Sequence, residues 1–247
     1  MQELLERVLT AHGGLDRWHT FDRVSATVVT GGDFWATKGI SIDDLPRRAT
    51  ALVHREWATV TPYGNPNWLM TFDPTRVVVE AGDNSIVAER DHPRSAFASH
   101  GLDTLWDPLH RAYFNGYALW TYLTTPFFLA MPGFKVEELE PWDENNETWR
   151  VLRATFPPEI ESHCREQEFY FGPDFLLRRH DYQVDVSGGF PAAHYAYGVR
   201  DFGGFMFPTR RRAHPRLADR RPDRSRTLVS IDLNEYEVTE RPGFNGG

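Results

Sequence analysis

The chain has 247 residues, 14% of them aromatic, with 8 Trp and 17 Phe, and 25% charged. So many large apolar rings exclude a disordered chain, and the length suits a single large β-rich domain over residues 1–247. A net charge of −8 excludes a protein whose main task is to grip nucleic-acid phosphates, and the lone cysteine, Cys164, excludes an internal disulfide framework.

The first expected element is a helix over residues 2–12, with Leu4, Leu5, Val8 and Leu9 at helical spacing and Gly13-Gly14 as its stop. This N-terminal stretch is acidic in part and has no apolar run of signal-peptide length. With one cysteine in the whole sequence, a cytoplasmic location is expected. Strand-type segments follow at 22–31, 34–41, 49–61, 67–73, 76–81 and 85–91, separated by turn signals such as Gly31-Gly32-Asp33 and Asp73-Pro74. Residues 93–105 read as a loop with one helical turn.

The run from Trp106 to Phe134, WDPLHRAYFNGYALWTYLTTPFFLAMPGF, carries no charge after Arg111. A membrane span of about 20 residues is more uniformly apolar, and Pro126 would break it, so no membrane span is expected. The run reads instead as a buried helix, capped at Asp107 with Pro108 in its first turn. Tyr113, Tyr117 and Trp120 line one side, as ligand contacts or as plain core, and His110 is the one imidazole available there for acid–base work. A second strand series closes the chain at 134–140, 148–156, 163–171, 175–187, 193–202, 205–214 and 226–239. Long sequential strands predict an antiparallel meander that must curl or close.

Several of these stretches resemble the LolA/LppX-like lipoprotein-carrier superfamily: the opening helix with GGLDRW at 13–18, YFGPDFLLRRHDY at 170–182, the hairpin RDFGGFMFPTRRR at 200–212, and the closing strand VSIDLNEYEV at 229–238. The resemblance implies an α+β half-barrel. In it a strongly curved antiparallel sheet wraps an aromatic plug helix, with an N-terminal helix beside it and a hydrophobic cavity inside. Without a lipobox cysteine or leader, a cytoplasmic member of that superfamily is the expectation.

For chemistry, the strand pair 163–171 and 175–187 is the place to look. If Phe169 and Phe171 mark the interior, alternation turns His163, Arg165 and Gln167 inward with them. On the next strand Arg178, His180 and Tyr182 share a face with Val184. Arg165 or Arg178 would pair with an anionic head group, and His180 and Tyr182, with His110 opposite, would carry any proton transfer. Asp181 falls on the other face and reads as solvated, as does the arginine-rich stretch 210–226. There is no GxGxxG, Walker, HExxH, CxxC or GxSxG motif, so neither a cofactor nor a metal is expected. The expected partner is a hydrophobic small molecule, a lipid, terpenoid or polyketide-like compound, and not a nucleic acid. The alternative is a cofactor-independent cyclase, isomerase or hydrolase acting on such a molecule in the same cavity.

Overall fold

The computed structural model describes residues 3–241. Residue 2, expected to open the first helix, and the ends of the expected 1–247 domain lie outside them. In chain order come α1 (Glu3–Ala11), α2 (Leu15–Trp18), β1 (Phe21–Gly31), α3 (Phe34–Thr37), β2 (Arg47–Leu52), β3 (Ala58–Thr61), β4 (Leu69–Asp73), β5 (Arg76–Glu80) and β6 (Ile86–Asp91). After the long helix α4 (Pro108–Thr124) follow β7 (Lys135–Glu144), β8 (Glu147–Thr155), β9 (Glu166–Phe171), β10 (Leu177–Val184), β11 (Phe190–Phe202), β12 (Phe205–Pro215) and β13 (Val229–Glu240).

The strands form one 13-stranded antiparallel sheet in the order β6-β5-β4-β3-β2-β1-β13-β12-β11-β10-β9-β8-β7. Two meanders, β1 to β6 and β7 to β13, are thus joined by the pairing of the first and last strands, Phe21 opposite Glu240 through Gly31 opposite Ser230. The sheet is strongly curved and stays open, with β6 and β7 as its edges. α4 runs between those edges in sequence and packs on the concave face against β2 to β5. This is the α+β half-barrel with an aromatic helix in its concavity.

Two expected strands resolve differently. Residues 34–41 leave the sheet: Gly32 has φ +107°, and a Cβ there would lie 2.4 Å from the Leu228 carbonyl oxygen. The neighbours Phe34 and Trp35 both join the main core cluster on one side of the sheet, which adjacent residues of a strand, pointing to opposite faces, do not do but those of the helical turn α3 can. The segment 49–61 is two strands, β2 and β3, closed by Leu52 N–H donating to the Trp57 carbonyl.

α4 begins at the expected cap. The Asp107 carboxylate accepts from His110 N–H at 2.8 Å, and His110 Nδ1 accepts from Asp107 N–H at 3.1 Å, a reciprocal capping box. The helix is buried nearly all round. Its large rings meet a concave face of small residues, among them Ala26, Ala49, Ala51, Ala58, Ala192 and Ala213. The fit is tightest at Gly116, where a Cβ would lie 2.2 Å from the Phe72 ring. Trp120 is fully buried, its Nε1–H donating to the Leu52 and Arg55 carbonyls.

Two of the stretches that carry the sequence resemblance, 13–18 and 200–212, meet. The Arg17 guanidinium donates to the Gly203 carbonyl, Gly13 backs onto the Gly204 carbonyl, and Trp18 lies edge-on to Phe205. The convex face holds a second, smaller cluster of Trp149, Val151, Tyr170, Ala193 and Tyr195. Over it lies the arginine-rich segment that the sequence suggested was solvated. Arg220 pairs with Glu168, Arg224 pairs with Glu144 and stacks on Tyr195, and Arg216 reaches Asp181. Asp181 is accordingly buried, held by Arg179 at 2.6 Å, because arginines and tyrosines on its own face replace water.

Candidate functional site

β9 begins only at Glu166, and from there alternation holds: Gln167, Phe169 and Phe171 point into the concavity. On β10 a bulge intervenes. Leu177 pairs with Phe171 but Arg179 with Tyr170, so two residues of β10 oppose one of β9. Past the bulge His180, Tyr182 and Val184 face inward. β11 adds His194 between Ala192 and Ala196, and β12 adds Arg211 beside Ala213. α4 supplies Tyr117 and Tyr122, and the segment before β9 supplies His163.

These side chains form a hydrogen-bonded chain across the interior. Tyr117 Oη meets His163 Nδ1 at 3.2 Å, and His163 Nε2 meets Tyr122 Oη at 2.7 Å. Tyr122 Oη meets Tyr182 Oη at 3.2 Å, and Tyr182 Oη meets His194 Nδ1 at 3.1 Å. His163 also stacks flat on Tyr182, with centroids 3.9 Å apart. His180 stacks on Phe169 and donates from Nε2 to Gln167 Oε1 at 2.6 Å, and Gln167 Nε2 donates to the Cys164 carbonyl.

Burial sets the electrostatics. It presses His163 down to about 3 and holds His180 and His194 well below the ordinary imidazole range, so all three rings are neutral at pH 7. The same desolvation pushes Tyr122 up to about 12 and Tyr117 and Tyr182 well above the usual phenol range, so every hydroxyl keeps its proton. The one fixed charge is Arg211, fully buried, with its guanidinium 4.7 Å over the Tyr122 ring and Nη2 donating to the Tyr122 carbonyl at 3.2 Å. Arg211 Nε and Nη1 and His194 Nε2 have no hydrogen-bond partner. Beside them opens a narrow apolar crevice between Phe34, Phe114 and Phe190 on one side and Tyr182, Ala192 and Ala213 on the other, with a free volume of about 10 Å³.

Of the residues the sequence singled out, His163, Gln167, His180, Tyr182 and Tyr117 come together in this interior. The others do not. Arg165 precedes the strand, so alternation does not reach it, and it is exposed at the rim of a cleft of about 410 Å³ on the outer side of β9 and β10. Arg178 is the extra residue of the bulge and points outward to Glu147 and Asp174, at 3.1 and 3.0 Å. His110 is a capping residue whose Nε2 meets the Ala96 carbonyl, away from His180. Tyr113 and Trp120 lie on α4 but bond elsewhere, Tyr113 to Glu161 at 2.5 Å with Arg94 alongside. Sequence reading missed Tyr122, His194 and Arg211. Parity along 205–214 would have found Arg211, which alternates with Phe205, Phe207 and Ala213; the run Arg210-Arg211-Arg212 masked it as surface charge. Among the described residues no group of three His, Cys, Asp or Glu side chains is arranged to hold a metal ion, and no helix is long and apolar enough to cross a membrane.

No family model matches the sequence, and no curated protein is similar to it. Solved structures are similar in shape. A LolA superfamily protein from Nitrosomonas europaea superposes with a TM-score of 0.53 at 12% identity, over 98% of this chain and 94% of that one. An outer membrane lipoprotein-sorting protein domain from Vibrio parahaemolyticus gives 0.52 at 7% identity, over 99% and 93%. The chain therefore has a LolA-like fold, as the sequence resemblance implied.

Proposed function

We propose that the chain is a cytoplasmic binding protein for a hydrophobic small molecule of lipid, terpenoid or polyketide type, held between α4 and the concave face. The observation that carries this reading is the alanine-lined inner face under a separate aromatic helix, with a crevice of about 10 Å³, room for about one water, where Phe34 and Phe114 meet Ala192 and Ala213. Small residues on the sheet and large ones on the plug mean that a modest outward shift of α3 or α4 opens apolar space without exposing backbone polar groups. The fold likeness supports the reading, since the Vibrio domain is named for lipoprotein sorting. The test is native mass spectrometry of protein purified without added lipid, with an apolar fluorescent probe as the second measurement. A co-purifying apolar ligand, and a loss of probe affinity of about tenfold or more in Ala213→Phe, are expected. A ligand-free protein that ignores the probe overturns the proposal.

A second reading rests on the chain Tyr117–His163–Tyr122–Tyr182–His194, whose alternating donors and acceptors suit proton transfer in a cofactor-independent isomerase, cyclase or hydrolase. In that case His180 orients through Gln167, and Tyr182 is the hydroxyl next to the crevice. Tyr182→Phe then abolishes turnover of the co-purified compound while leaving its binding intact.

A further inference from the structure

The protein buries two arginines completely, and it treats them differently. Arg179, on the convex face, is enclosed by Asp181 at 2.6 Å and Glu144 at 3.0 Å. Arg211, on the concave face, pairs with no carboxylate among the described residues; the groups acting on it besides burial are Tyr236, Tyr122 and Tyr182. A guanidinium cannot shed its proton at physiological pH, so a buried one without a counter-charge is strongly unfavourable unless something else supplies that charge. Two of its three nitrogens are free to receive it.

His194 stands next to it. His194 lies opposite Ala213 and Arg211 opposite Ala196, which makes the two inward-facing residues diagonal neighbours on adjacent strands. The hydrogen-bonded chain decides what His194 offers. If Tyr117 donates to His163 Nδ1, then His163 Nε2–H donates to Tyr122, Tyr122 to Tyr182, and Tyr182 to His194 Nδ1. Each hydroxyl has one proton and each neutral ring one N–H, so this sense leaves the last N–H on His194 Nε2, the nitrogen without a partner. In the reverse sense that nitrogen is an acceptor and the spare donor is at Tyr117. An anion beside Arg211 selects the first sense, because three otherwise unanswered N–H groups then meet it.

We propose that Arg211 and His194 form the head-group site for an amphiphile that ends in an oxyanion, a carboxylate or a phosphate monoester, with its apolar tail passing Ala213 and Ala192 into the space that an outward shift of α3 or α4 opens. This rests on the reading of the concavity as an apolar-ligand site. It moves the anion partner from the arginines that sequence parity suggested, Arg165 and Arg178, to the arginine the sheet encloses.

The test is calorimetric titration of the full chain with hexadecanoic acid, hexadecyl phosphate and hexadecanol, which share a tail. Wild type binds the two anions at least about tenfold more tightly than the alcohol, and the tighter of the two identifies the natural head; in Arg211→Met the three ligands converge while the alcohol affinity stays within about twofold. Arg211→Lys, which keeps the charge, retains the anion preference and serves if the Met variant does not fold. Equal affinity of wild type for acid and alcohol, or a preference that survives in Arg211→Met, overturns the head-group site and leaves the apolar-ligand reading standing. Failure of all three to bind wild type overturns both.

Discussion

Four buried histidines, His12, His163, His180 and His194, are held below their ordinary pKa by desolvation, His12 to about 4 and His163 to about 3. The unfolded chain takes up protons on these rings near pH 6.5 and the folded one does not. Their contribution is therefore complete above about pH 6.5 and is lost on acidification at about 1.4 kcal/mol per pH unit for each ring, ending for His163 near its folded value. Glu56 works in the opposite direction. Burial raises its carboxyl well above the usual range, so the folded state holds a proton that the unfolded state has released above pH 4.5. Burial raises Asp181 and Asp185 in the same sense as Glu56, and lowers His100 and His110 in the same sense as the four rings. The imidazoles outweigh the three carboxyls, and the urea midpoint should fall steadily from pH 7 to pH 5. A midpoint flat across that interval would show that the rings are hydrated. At the same scale, Tyr182→Phe strips a partner from both Tyr122 and His194 and should lower stability by about 1–3 kcal/mol, measured at pH 7.

At the scale of elements, α4 is fixed by its cap and by its fit to β4. Asp107→Ala removes the reciprocal cap and the partner of Arg90, and a loss of about 1 kcal/mol is expected by denaturant titration. Gly116→Ala presses a methyl group into the Phe72 ring and should lower stability by about 1–3 kcal/mol even though alanine is the better helix former. Trp120→Ala empties a fully buried site and should lower it by about 3–5 kcal/mol. The helix, its cap and the meander were legible in the sequence because each rests on local signals: a Pro after an Asp, period-two alternation, glycine pairs. What local signals could not carry was register. The bulge at Leu177–Arg179 adds one residue, and that alone turns Arg178 outward while leaving His180 inward. Phe34 and Trp35 read as strand because rings favour strands, yet the positive φ at Gly32 had already taken the chain out of the sheet. Parity could mark Arg211 as inward, but the role of Arg211 and His194 was illegible for another reason. Their meaning lies in the absence of a partner, which only the assembled sheet displays.

For the whole molecule, the open sheet leaves two unequal edges. β7 is guarded by Lys135, Glu137, Glu138 and Glu140, whereas β6 presents Ile86 and Val87, which are 53% and 41% exposed. An exposed apolar edge strand is a template for another chain, and Ile86→Lys should reduce concentration-dependent light scattering on mild heating without moving the melting temperature. Because one sheet runs through both meanders, we propose that they melt as a unit, and a single calorimetric transition is the expected result.

That continuity depends on the seam between β1 and β13, and the seam has a consequence for the protein's birth. During synthesis β1 emerges well before β13, with β2 soon on one flank and nothing on the other until the second meander has been made. Until β13 arrives the nascent chain carries an unzipped strand in what will become the middle of the sheet. A protein so arranged gains little from folding as it emerges, and it relies on holding factors or on speed after release.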